Sequence, residues 1–202
     1  MLNTWNKFEL SDLIDIKHGY AFSSVYFSGK KTNKILLTPG NFHVDGYLYF
    51  GENTKYYHAE TDEEYHLSNG DLLIVMTDLT KEMNILGNAV ILQSAKTVLH
   101  NQRIGKVLIK DDSIIDKKFL CYLLNSNQCK KPIKRTATGS TVRHTSNKSI
   151  YSIKVSIPPL EEQKKIAKIL STWDNVITLT EKLLKKYKKQ KHGLIQKLLT
   201  GE

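Results

Sequence analysis

From Ile166 to Leu198 the apolar residues recur at alternating steps of four and three: Ile166, Leu170, Trp173, Ile177, Leu184, Tyr187, Leu194 and Leu198. This is a heptad seam, and only a helix presents such residues on one side. A second row, Ile169, Val176 and Leu183, widens the stripe. Pro158 and Pro159 end whatever precedes it; Pro159 suits a first helical turn, and Glu161 and Glu162 supply the charge a helix N-terminus favours. Gly201 follows the last leucine pair, where a left-handed cap is expected. Roughly forty residues at about 1.5 Å each give a rod near 60 Å long. Such a stripe is longer than one small domain can cover, so pairing with a second helix is favoured over folding back on the same domain. Thr180 and Lys191 interrupt the seam, as residues that fix register do, and Gly193 marks a bend or a close crossing.

The 202 residues leave room for one domain before the rod. Lys34 to Thr38, Leu72 to Met76, Asn88 to Leu92, Ile104 to Ile109 and Ile150 to Ile157 read as strands. Asp45-Gly46 before Tyr47 to Phe50 reads as a hairpin turn and strand, and Ser68 to Asp71 as a turn. Asp116 is the N-cap of a helix that reaches Leu124. The expected fold is α+β: a strand-rich domain over residues 1–157, then one long coiled-coil-forming helix over 158–202.

The net charge is +10, from 30 Lys and Arg against 20 Asp and Glu. Between Lys130 and Lys154 lie Lys131, Lys134, Arg135, Arg143 and Lys148 with no acidic residue. A basic stretch outside a helix, mixed with Ser, Thr, Gly and Asn, fits phosphate contacts on nucleic acid better than a membrane helix. No apolar run is long enough to span a bilayer and no apolar signal core opens the chain, so a cytoplasmic protein is expected. Lysines 185, 186, 188 and 189 read as solvated faces of the rod. The chain carries no G-x-G-x-x-G, P-loop or H-E-x-x-H, its two cysteines form no CxxC, and no metal ligation or cofactor is expected. Glu162-Gln163-Lys164 and Asp116-Lys117-Lys118 match the acid-x-Lys fragment of nucleases, a tripeptide common by chance in a lysine-rich chain.

Residues suited to reading bases are better represented. Thr77, Thr80 and Lys81 follow a buried strand, and loops at strand ends are held rigidly. Asn101, Gln102 and Arg103 set two amides and a guanidinium side by side, the groups that pair with adenine and guanine edges; turn chemistry explains the amides equally well. Ser140, Thr141, Arg143 and His144 follow Gly139 with hydroxyls and donors; turn chemistry also suits the two hydroxyls, while for Arg143 and His144 recognition is the preferred reading. Lys30, Lys31, Lys134 and Arg135 complete the expected DNA-contacting set.

Ile157-Pro158-Pro159-Leu160-Glu161-Glu162-Gln163-Lys164, Ile166-Ala167, Gly193-Leu194 and Leu198-Leu199-Thr200-Gly201 resemble the spacer of type I restriction–modification specificity subunits. Phe8-Glu9-Leu10, Ile16-Lys17-His18-Gly19-Tyr20-Ala21-Phe22, Gly70-Asp71-Leu72-Leu73-Ile74 and Thr138 to His144 resemble that family's target recognition domain, in the right order. The resemblance covers nearly the whole chain. It implies a DNA-recognition subunit with no catalysis of its own that binds double-stranded DNA. It also implies docking to an adenine-N6 DNA methyltransferase (M) subunit, with a restriction (R) subunit as a further candidate partner. The family's usual chain has two recognition domains and two spacers; this one has one of each. A half-subunit that forms a homodimer through the rod, a silent cassette and an excised half all fit. A stand-alone DNA-binding regulator that dimerises through the rod is the competing class, and a nuclease a third.

Overall fold

The computed structural model describes residues 5–52 and 54–201; the start of the N-terminal stretch read above for a signal core lies outside them. Two compact units emerge, Met1–Gln163 and Lys164–Glu202. The sequence reading drew its border at the proline pair, between 157 and 158.

The first unit contains thirteen short strands and four helices among the described residues. The strands are β1 (Asn6–Glu9), β2 (Ile14–His18), β3 (Phe27–Ser28), β4 (Lys34–Leu37), β5 (Lys55–Tyr57), β6 (His66–Leu67), β7 (Leu72–Val75), β8 (Thr77–Asp78), β9 (Ala89–Ile91), β10 (Thr97–His100), β11 (Ile104–Ile109), β12 (Arg143–His144) and β13 (Lys154–Ile157). The helices are α1 (Leu10–Leu13), α2 (Lys117–Asn125), α3 (Asn127–Arg135) and α4 (Asn147–Tyr151). An antiparallel sheet has the order β2-β11-β7-β9; a second has the order β3-β5-β4-β10-β6, with β4 and β10 parallel. Two-stranded pairs β1–β13 and β8–β12 complete the ladders.

The core lies between the two larger sheets. Leu73, Val75, Val90 and Ile104 from one meet Leu37, Leu67 and Val98 from the other. Leu73 and Val75 share a face because strand side chains alternate with a period of two. Their neighbours Leu72 and Ile74 are also buried, so β7 is covered on both faces. Helix α2 docks beside β9 through Asn125, whose amide donates to the Ala89 carbonyl and accepts from the Ala89 N–H. Asp116 caps α2 as expected, accepting from the Phe119 N–H at 2.8 Å.

Several expectations need correction. Lys130, Lys131, Lys134 and Arg135 lie on helix α3, not in a loop. Pro132 breaks sequence periodicity but removes only one N–H from the ladder, while Cys129 and Ile133, a helical turn apart, are fully buried and hold the helix down. Residues 147–151 form α4, capped by Ser146, so the last strand is only Lys154–Ile157. Asp45-Gly46 does turn the chain, yet Tyr47 to Phe50 form a single bridge, Phe42 to Leu48, instead of a strand. Strand β10, which pairs on both sides in its sheet, had no separate signal in the short run Thr97–His100.

The long helix α5 runs Leu160–Thr200, 41 residues, and Gly201 caps it with φ +75°. Its first turn, Leu160–Gln163, belongs to the first unit and carries Gln163. That buried side chain donates to the carbonyls of Ile114 and Pro158 and accepts from the Asp116 N–H. In the second unit, seam residues Trp173, Ile177, Leu184, Tyr187, Leu194 and Leu198 are each more than half exposed, from 51% to 77%. No helix among the described residues is long and apolar enough to cross a membrane.

Candidate nucleic-acid interface

At the end of β7 the chain changes partners. Up to Val75 it pairs with β11; from Thr77 it pairs with β12. Buried Met76 is the pivot: its N–H donates to the Arg103 carbonyl and its carbonyl accepts from the Thr145 N–H, both at 3.0 Å. Three segments distant in sequence, 77–82, 101–103 and 139–144, are thereby brought to one rim.

Asp78 organises the first segment. Its carboxylate is fully buried and accepts four hydrogen bonds, from the Thr80 N–H and hydroxyl on one oxygen and from the Ile85 and Leu86 N–H groups on the other. The loop between includes Met83 at φ +51°, a left-handed conformation that a non-glycine residue adopts only when its surroundings impose it. Leu79, Thr80 and Lys81 are exposed at its start. Helix α3 supports the loop from the side, with the Lys134 ammonium 3.4 Å from the Glu82 carbonyl. The Lys130 ammonium is pushed down to about 8, first by burial and then by the charge of Lys134, with Asp78 opposing both.

The third segment is a tight hairpin. Thr138 and His144 exchange two backbone hydrogen bonds at 3.0 and 2.9 Å. Gly139 has φ +94°, and a Cβ there would stand 2.0 Å from the Val142 carbonyl oxygen, so only glycine fits. Arg143 donates from Nη1 to the Gly139 carbonyl at 2.6 Å, while its Nε is buried without a partner. His144 meets the buried Thr77 hydroxyl through Nδ1 at 3.0 Å. Ser140 and Thr141 are exposed at the tip.

In the middle segment Asn101 is buried, and its side-chain oxygen accepts from the Arg103 N–H, which is turn chemistry. Gln102 and Arg103 are exposed. Gly19 passes so close to His100 that a Cβ would lie 2.0 Å from its carbonyl oxygen. This approach lets the Tyr20 backbone bridge Asn101 and accept from the Gln102 N–H, while its half-exposed ring packs against Phe22 and Tyr65. His100 beneath is buried, with Nε2 donating to the Ile104 carbonyl, and burial pushes its pKa down to about 4.

Of the residues proposed from sequence, Thr80, Lys81, Gln102, Arg103, Ser140, Thr141, Arg143, His144 and Lys134 gather around this rim, and Arg135 ends α3 beside it. Thr77 and Asn101 belong to its framework, being buried and internally bonded. Lys30 and Lys31 lie elsewhere. Lys31 lines a cleft with Tyr49, Tyr56 and Lys96. That cleft is at the start of the parallel pair β4–β10, whereas Asn101 follows its end. The sequence places Asp78 and Leu79 inside the candidate run 77–82 and Tyr20 inside the motif Ile16 to Phe22, without singling any of the three out as a contact. The spacing Asp78-Leu79-Thr80, which suits a side chain capping its own turn, was the available signal for the first two. Among the described residues, no three His, Cys, Asp or Glu side chains are grouped to hold a metal ion.

The family model described as type I restriction modification DNA specificity domain matches residues 3–189. The chain is 28% identical over 206 residues to the type I restriction enzyme MjaVIII specificity subunit of Methanocaldococcus jannaschii, covering 98% of this chain and 46% of that one. To the putative MjaX specificity subunit of the same organism it is 33% identical over 141 residues, 68% of this chain and 32% of the relative. In fold it is similar to a crystal structure of a type I restriction–modification S subunit from M. genitalium. The TM-score is 0.70 at 17% identity, over 100% of this chain and 47% of the other. The chain thus spans less than half the length of these relatives.

Proposed function

The chain belongs to the type I restriction–modification DNA specificity family, and from that premise we propose that it is a non-catalytic subunit recognising one half of a bipartite target on double-stranded DNA. The observation that carries this reading is the convergence of three loops on one rim through Met76. Exposed amide, guanidinium, hydroxyl and imidazole groups at that rim match what base edges in a major groove present, and lysines and arginine beside them suit phosphates.

In this reading α5 joins two copies of the chain and docks an adenine-N6 DNA methyltransferase (M) subunit, which supplies the chemistry; a restriction (R) subunit completes the enzyme. A two-fold dimer presents identical loops at both sides, so the target is a gapped inverted repeat. Antiparallel packing of the helices suits this best, because it separates two basic domains. Mapping N6-methyladenine in a genome carrying the chain and its methyltransferase tests the reading. The expected motif has two identical halves around a fixed gap and disappears when the chain is deleted. A motif that persists without the chain overturns the reading, and a motif without two-fold symmetry overturns the homodimer. Arg143→Ala is expected to relax one position of each half-site at a cost of about 1–3 kcal/mol. A uniform loss over all sequences would instead make Arg143 a phosphate contact.

A further inference from the structure

Leu79 is an exposed aliphatic side chain, 57% exposed, on a rim whose other exposed groups are mostly donors and cations, with the Tyr20 ring beside Asn101. It follows directly on the β8–β12 ladder, beyond the pair Asp78–Arg143, so its backbone position is fixed on that side by sheet pairing. On the other side the four hydrogen bonds to Asp78 and the left-handed Met83 hold the loop in one shape. An exposed leucine is by itself unremarkable. An exposed leucine carried by a buried carboxylate and a left-handed non-glycine residue is costly to arrange, and such cost concentrates where a contact needs precision. The Thr80 hydroxyl beside it is already donated to Asp78, so this corner of the rim offers an apolar surface more than a donor.

Building on the DNA-recognition reading above, we infer that Leu79 is a specificity-determining residue that reads a thymine through its 5-methyl group. In the major groove that methyl is the one apolar feature a base pair presents, and aliphatic side chains contact it there. Burying one methyl-sized group favours thymine by about fourfold. Neighbouring donors, Arg143 and His144, would read the adjoining base edges.

The test is a binding selection by the full chain from two random duplex libraries, one made with thymine and one with uracil, which differ only in that methyl. The wild-type chain is expected to select thymine about fourfold at one half-site position and to lose that preference in the uracil library, every other position being unchanged. Leu79→Ala is expected to lose the same preference in the thymine library and to be indifferent to uracil. Leu79→Met, which keeps an apolar tip, is expected to retain part of it. Two outcomes overturn the inference with DNA recognition intact: identical sequences selected from both libraries by the wild-type chain, or a full uracil penalty retained by Leu79→Ala. If the wild-type chain selects no sequence from either library, the recognition reading itself fails, and this inference with it.

Discussion

In the domain, buried polar groups are mostly answered from within: Asp78 at the rim takes four hydrogen bonds, and away from the rim Gln163 takes and gives three and Asn125 closes both ways on Ala89, while Arg143 Nε and the Thr145 hydroxyl stand buried without a partner. Along α5 the imbalance is apolar and is left open, with Trp173, Ile177, Leu184 and Tyr187 each more than half exposed. The first arrangement is what a preformed surface needs, since loops held by satisfied buried groups lose little freedom on binding. The second is incomplete by itself, because a heptad seam gains its stability only against a second helix. On the proposed reading, the domain meets DNA as a preformed surface and the helix is completed by a second copy.

The largest effect should come from breaking the helix. Leu170→Glu with Ile177→Glu removes two seam residues from each copy, worth about 1.5–3 kcal/mol apiece when buried. Sedimentation should change from dimer to monomer while the thermal unfolding of the domain stays where it was. A monomeric wild-type chain, alone and with its methyltransferase, would refute pairing of two copies. Next comes the domain. Asp78→Ala leaves the Ile85 and Leu86 N–H groups without their acceptor and should cost about 3 kcal/mol in urea unfolding. It should leave self-association intact, the converse of the helix variant.

The same contrast explains what could be read in advance. The rod was legible because its period repeats from Ile166 to Leu198, and periodicity accumulates with length. The buried strands β7, β9 and β11 were legible as compact apolar runs, and Asp116 as a cap. The basic segment misled because its Ser, Thr, Gly and Asn content outweighed a one-turn apolar pair, Cys129 and Ile133, whose burial is a tertiary fact. The rim was legible only in pieces. Segments 77–82 and 139–144 each carried donors, but nothing local says that β8 pairs with β12 or that Met76 ties both to Arg103. For the same reason Lys30 and Lys31 resembled the other candidates until the parallel pair β4–β10 set them at its other end.

Acid should also separate the two regions. His100 is neutral in its buried site with a pKa of about 4, against an ordinary value of 6.5. Between those values the unfolded chain holds the extra proton, so the stability from this group is present above pH 6.5 and is lost as pH falls toward 4. The loss is on the order of 3 kcal/mol when complete. Unfolding midpoints measured between pH 7 and 4 should therefore fall for the wild-type domain and fall less steeply for His100→Gln. An equal slope in both would place the acid sensitivity elsewhere.

The smallest effect concerns which lysines meet DNA, and it sets the two regions side by side. Both are basic. Lys134 and Arg135 end α3 next to the rim, whereas Lys185 and Lys186 lie on α5 and are exposed. If charge alone drew DNA, either pair would serve. If phosphates are contacted where the loops fix the duplex, only the first pair releases counterions on binding. Each neutralised phosphate contributes about 0.9 to the slope of log affinity against log salt. Lys134→Ala with Arg135→Ala should then flatten that slope by up to about 1.8 for each protomer on the duplex and weaken specific and random DNA alike. Lys185→Ala with Lys186→Ala should leave the slope unchanged, because a solvated helix face keeps its counterions. Equal flattening by both pairs would extend the DNA surface along α5. No flattening by the α3 pair would move the phosphate contacts away from this side of the rim.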